Sequence, residues 1–322
     1  MKRLSIGLAI AGLAAGTLLV GWFGFAHVAN AVLSIGWDGF ASLLSWQLLL
    51  FVPLGLAWAL VAGGGPTWAY VWGRMVRDAA TNCLPFSPVG GFVLGARALT
   101  LRGVSWQLAT ASVVVDVTAE LLGQLLFALV GLCLLLSRDP KSPVAVPLAI
   151  GLGVSVLALA GFFAVQQGAS TIFAKLGRRV AGHWFNDANQ RVVALQGELG
   201  HIYRRTGRLM FAVFIHLTGW IGTAFSGWLA YRLLGADVDF ADALVIEALL
   251  RAVLAVTFVV PGNAGVQEAG YAGFGLLYGV PPDISLGVSI LGRARDLAVG
   301  VPILLVWQWL EVRRLRVAAP EC

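Results

Sequence analysis

Charge is scarce in this chain. Only 12% of its 322 residues are Asp, Glu, Lys or Arg and 59% are hydrophobic, against roughly 25% charged in an ordinary soluble domain. A soluble enzyme of this length needs a wetted surface that these residues do not supply, so that class is excluded. Cysteine is nearly absent: Cys83, Cys133 and Cys322 show no CxxC spacing, and neither a disulfide framework nor a zinc site follows. The histidines, His27, His183, His201 and His216, never fall at HxxxH or HExxH spacing, which would set two ligands on one helix face. No metal or other cofactor is expected. There is no GxSxG and no P-loop; Asp237-Val238-Asp239 reads as a short solvated turn, and Gly273-Phe274-Gly275 follows no strand and reads as helix-packing glycine. An enzyme is therefore not the expected class. The net charge is +6, but no basic stripe with interleaved stacking aromatics is present, so nucleic acid is not an expected partner.

What the chain does have is long apolar runs, a mean hydropathy of +0.85 and 12 tryptophans suited to interfacial belts. These predict an all-α polytopic membrane protein with about six full spans, at 4–25, 42–62, 103–136, 148–165, 210–234 and 284–310. The first follows Met1-Lys2-Arg3 and exceeds the ~7 to 15 apolar residues of a signal peptide, which favours a retained span over a cleaved leader. Two segments cannot cross lipid as plain helices. Residues 67–101 carry Arg74, Arg77, Asp78 and Arg97 around a break at Pro85, Gly90 and Gly91. Residues 241–280 carry Glu247, Arg251 and Glu268 around Pro261, Gly262, Asn263 and Gly265. Each reads as two helical arms meeting in a re-entrant hairpin, tolerated at membrane depth only where protein or water covers the freed backbone groups. Residues 166–208 are polar and amphipathic and form an insert. Basic residues gather at the N-terminus, the first hairpin, the insert and the tail, so the insert and both termini are expected on the cytoplasmic side, with Asp237 and Asp239 outside.

The two broken segments match in register. Pro85 and Pro261 stand 176 positions apart, as do the Gly-Val pairs at Gly103 and Gly279. Three spans separate the hairpins, an odd number, so a true duplication is an inverted-topology repeat. The first unit is 1–137, with hairpin 67–101; the second is 138–322, with the insert and hairpin 241–280. In such architectures broken helices meet near the bilayer midplane and substrate binds there. Chance matching of glycine and proline is the alternative.

A charge at bilayer centre costs ~2.5 to 3.5 kcal/mol on insertion scales, so each intramembrane ionisable residue is a functional candidate. Arg77, Arg251, Arg293 and Arg295 carry planar donor forks suited to the phosphate of a lipid head group; ion pairing with nearby acids is the competing reading. Asp116 and Glu120 share a helix face at i, i+4 and repel unless a cation or proton sits with them, or one lies at the interface. Glu247 and Arg251 are spaced for a local ion pair. Glu268 either compensates a helix dipole or titrates in a cavity, and Asp296 joins it as a cavity carboxylate.

The stretch LPFSPVGGFVLGARALTLRGV from Leu84, the stretch VVVDVTAELLGQL from Val113, and VPGNAGVQEAG from Val260 resemble the flippase-like transmembrane family named after lysylphosphatidylglycerol synthase. The first two are similar in particular to its subgroup associated with hopanoid biosynthesis. The resemblance covers essentially the whole chain. It implies translocation of a hopanoid, another isoprenoid-type lipid or an anionic lipid in a bacterial inner membrane. The family's bifunctional members carry a soluble aminoacyl-transferase domain after the membrane part; this sequence closes shortly after its last span, so the synthase activity is not expected. Two other readings stand beside translocation: a membrane-embedded head-group transferase, and a non-catalytic scaffold that docks pathway enzymes on 166–208.

Overall fold

Where lipid replaces water, a backbone can satisfy its polar groups only within each segment, and that requirement favours helix throughout. The computed structural model describes residues 25–84, 87–146, 148–157, 159–161, 184–256 and 265–317. These form helices α1 (Phe25–Ala62), α2 (Thr67–Cys83), α3 (Ser87–Thr100), α4 (Trp106–Arg138), α5 (Leu148–Gly161), α6 (Trp184–Tyr203), α7 (Thr206–Leu233), α8 (Phe240–Val256), α9 (Val266–Leu276) and α10 (Pro282–Val317). Expected span 4–25 apart from Phe25, break residues Pro85, Pro261, Gly262 and Asn263, and the first part of the insert, 166–183, lie outside the described residues.

Three stretches, Leu33–Ala62, Trp106–Arg138 and Thr206–Leu233, are long and apolar enough to cross a bilayer. The chain is a multi-pass membrane protein. Helix boundaries differ from those read off hydropathy. α1 starts upstream of residue 42 and bends at Gly36, where φ is +72°. α7 starts at Thr206 rather than 210, and α10 continues past residue 310 to Val317. Hydropathy marks the apolar part of a helix, whereas the backbone ladder runs on into the polar flanks. The insert's helix α6 packs on α4, with Ile202 buried.

Each broken segment is a pair of helices, α2 with α3 and α8 with α9. Each pair ends in a glycine-terminated turn: Val104 N donates to Leu99 O at 3.2 Å and Val280 N to Gly275 O at 3.0 Å, with φ of +87° at Gly103 and +71° at Gly279. The Ser105 side chain then accepts from Leu108 N and caps α4. Packing comes in matched sets. α2 lies on α10 and α8 on α4; α1 lies on α10 and α7 on α4; α1 and α7 pack on each other. In that last contact Trp46 Nε1 donates to Gly222 O at 2.7 Å.

Small residues permit these approaches. A Cβ at Gly55 would fall on the Val71 backbone of α2, whereas Gly153 on α5 faces nothing within 4 Å. Gly55→Leu is expected to destabilise the protein by about 1–3 kcal/mol or more through overpacking. Gly153→Ala is expected to leave it unchanged or slightly stabilised; thermal unfolding in detergent separates the two.

Candidate functional site

Arg74, Arg77 and Asp78 fall at i, i+3 and i+4, so α2 presents all three on one face, and α4 presents Asp116 and Glu120 in the same way. The two faces meet. Arg77 Nη1 lies 2.8 Å from Asp116 Oδ2, and its Nη2 bonds Glu120 Oε2. Arg74 Nη2 lies 2.6 Å from Glu120 Oε1, and its Nε 2.9 Å from Asp78 Oδ2. His216 of α7 completes the group, with Nε2 at 3.0 Å from Asp116 Oδ1. Arg74, Arg77, Asp116 and His216 are buried, Asp116 completely. The rings of Trp58 and Phe92 close over the Arg77 guanidinium at 5.9 and 5.6 Å.

Glycine makes the cluster possible at two points. A Cβ at Gly95 of α3 would sit 3.0 Å from Arg77 Cβ, and one at Gly123 of α4 would sit 2.9 Å from His216 Cβ. Three carboxylates face two guanidiniums. With a neutral imidazole the group carries one net negative charge; with an imidazolium it is neutral. His216 Nδ1 is buried without a hydrogen-bond partner among the described residues.

The second half of the chain holds three smaller groups. Glu268, in the first turn of α9, accepts from Gly265 N at 2.8 Å and pairs with Arg293 Nε at 2.7 Å. It therefore serves both as the helix-start acid and as an ion-pair partner. Gln267 donates to Ser289 beside it at 3.1 Å. Glu247, 2% exposed, pairs with Arg251 Nη2 at 3.4 Å and accepts from the Tyr271 hydroxyl. Arg251 also lies over the Trp220 ring at 5.3 Å. Arg295 pairs with its neighbour Asp296 at 2.8 Å and donates to Ser226 Oγ at 2.6 Å.

All four arginines expected to meet a head group are thus held by acids. Arg77, Asp116 and Glu120 come together, as do Arg293 with Glu268 and Arg295 with Asp296. Of the break residues, Gly91 packs against Thr81 and the Arg77 carbonyl, Gly90 has open space, and Gly265 caps α9 at φ +80°. Sequence reasoning missed Arg74, Asp78, His216 and Tyr271 as site residues. Arg74 and Asp78 were signalled by their helical spacing from Arg77; His216 had no local signal, because its partner is 100 positions away. Among the described residues no three His, Cys, Asp or Glu side chains are placed to hold a metal ion.

In a multi-pass helical body, paired charges buried between helices are candidate functional residues. The chain belongs to the family described as the lysylphosphatidylglycerol synthase transmembrane region, whose model matches residues 5–303. That family is flippase-like and associated with membrane lipid modification and flipping. No curated protein and no solved structure matches the chain.

The excess of acid over arginine sets the order of two substitutions. Arg77→Met leaves buried carboxylates unpaired and is expected to cost about 3–5 kcal/mol. Glu120→Gln removes the surplus acid and is expected to cost clearly less. Thermal unfolding in detergent, at a pH where both variants are soluble, checks the order.

Proposed function

We propose that this chain carries a lipid head group across a bacterial inner membrane between two halves of inverted topology. The observation that carries the reading is a broken helical pair, ended by a positive-φ glycine and joined to the next long helix by an arginine–carboxylate pair, which is buried in the first half and half-buried, with arginine and acid exchanged between the two elements, in the second. Arg77 with Asp116 represents it in the first half and Arg293 with Glu268 in the second. The matched packing of α2 on α10 with α8 on α4 supports the inverted repeat, and so does the equal spacing of Gly103 and Gly279. In this reading both pairs are re-entrant hairpins, and the insert and both termini face the cytoplasm.

The chemistry is an exchange of partners. An arginine leaves its carboxylate for the phosphate oxygens of an incoming head group, and the carboxylate takes up a proton, so the apolar interior never holds an unbalanced charge. Arg77, Arg251, Arg293 and Arg295 are the arginines that exchange; Asp116, Glu120, Glu268 and Asp296 are carboxylates that accept, together with Glu247, the partner of Arg251. At Asp116 the neighbouring group is the His216 ring, with Nε2 at 3.0 Å from Oδ1. Rocking of one half against the other then moves the head across while the tail stays in lipid. The resemblance to the hopanoid-associated subgroup favours a hopanoid or another isoprenoid-type lipid, and an anionic head fits the four arginines. The chain acts as a carrier in this reading and not as a transferase.

The test is reconstitution. Vesicles holding the purified protein and a fluorescent isoprenoid phosphate should show accelerated exchange between leaflets. Arg293→Ala and Glu268→Gln variants that keep the wild-type melting temperature should lose at least about tenfold of that rate, as expected when a charge-assisted contact made by the moving group is removed. Wild-type rates in both variants would remove these residues from the site. A new lipid species by mass spectrometry after incubation with head-group donors would favour the transferase instead.

A further inference from the structure

Among the described residues, the arginines packed between helices are engaged by carboxylates, but a group at one end of the molecule is not. Arg102, Arg313 and Arg314 line an open cavity of about 480 Å³ with Leu101, Gly103 and Leu310. Among the described residues no carboxylate pairs with any of the three. Arg102 lies over the Trp68 ring at 5.0 Å and Arg313 over Trp309 at 5.4 Å. Arg314 Nη1 donates to Thr100 O at 3.1 Å. The Nε of Arg102 is buried with no hydrogen-bond partner among the described residues.

The nearby acid, Glu311, is already taken. Arg97 holds it at two points, Nε at 3.1 Å and Nη2 at 2.5 Å. That pair and the Arg314 contact tie the last turns of α10 to the end of α3, so the arginines stand around a framed cavity rather than loosely on the surface. The opposite end is built differently. The position 176 residues after Arg102 is Tyr278, and beside it Arg138 is neutralised by Asp242 and Asp239.

We propose that the cavity binds the phosphate of an anionic phospholipid, with Arg102, Arg313 and Arg314 taking its oxygens. Guanidinium forks match phosphate geometry, and three of them with no counter-ion among the described residues make a site that an anion would complete. Trp68 and Trp309 are 55% and 58% exposed, as tryptophans at head-group depth are. Leu101 and Leu310 give the acyl chains an apolar path. The site lies at the basic end of the molecule, and its occupancy does not depend on lipid being moved.

Native mass spectrometry of the full chain in mild detergent tests this, with added dioleoyl phosphatidylglycerol, dioleoyl phosphatidylcholine or inorganic phosphate. The wild type should retain phosphatidylglycerol about tenfold better than phosphatidylcholine, and Arg102→Gln/Arg313→Gln should lose that preference. The charge-keeping Arg102→Lys/Arg313→Lys should restore part of it, which separates loss of the site from misfolding. Arg138→Gln, at the other end, should bind as the wild type does. Equal retention of the two lipids, or an equal loss in Arg138→Gln, would overturn the proposal. Inorganic phosphate that binds alone and displaces phosphatidylglycerol at equal concentration would assign the cavity to free phosphate and refute the lipid.

Discussion

Arg74 and Arg77 can remain in an apolar helical body only while Asp116 and Glu120 meet them. That requirement fixes α2 against α4, because a guanidinium stranded without its acid costs several kcal/mol. The rest of the arrangement follows from holding those faces together. Gly95 lets α3 lie close over Arg77, Gly123 lets α7 bring His216 to Asp116, and Trp58 and Phe92 close the guanidinium off from lipid. Buried ion pairs of this kind are weak evidence for stability, since apolar residues of equal volume would hold the helices as well. In the proposed reading, they are there for what exchangeable partners permit.

A lipid carrier has to pass a polar head through a region that rejects charge. Ion pairs that can trade one partner for a phosphate and another for a proton do this without exposing a bare charge at any stage. In the proposed reading, the pairs Arg77–Asp116 and Arg293–Glu268 are the ones that make this exchange. At one end, three arginines with no carboxylate partner among the described residues line a cavity, the proposed phosphate site. The buried pairs and the surface trio differ in one respect that matters chemically, namely whether a carboxylate already occupies the fork.

Much of this was legible in the sequence, and the limits are physical. The apolar runs, the two broken segments and the charges inside them follow from local composition, and α2, α3, α8 and α9 lie within those segments, although Gly90 and Gly91, read as part of the first break, sit inside α3. Helix ends did not follow, because α1, α7 and α10 continue past the apolar stretch that hydropathy detects. Asp116 and Glu120 were readable as a pair needing a cation; that the cations are Arg74 and Arg77 required knowing which face of α2 meets α4. His216 was invisible for the same reason, since a lone histidine in an apolar helix carries no pattern. Family membership rests on motifs spread along the whole chain, and the match over 5–303 bears it out.

The central claim is that the two halves are inverted, and sidedness tests it most directly. In a variant with Cys83, Cys133 and Cys322 replaced by alanine, single cysteines at Thr100 and Asp283 would be exposed in intact cells to a membrane-impermeant maleimide. The account predicts labelling at Asp283→Cys from outside, with Thr100→Cys labelled only after the cells are opened. Labelling of both from the same side would contradict it.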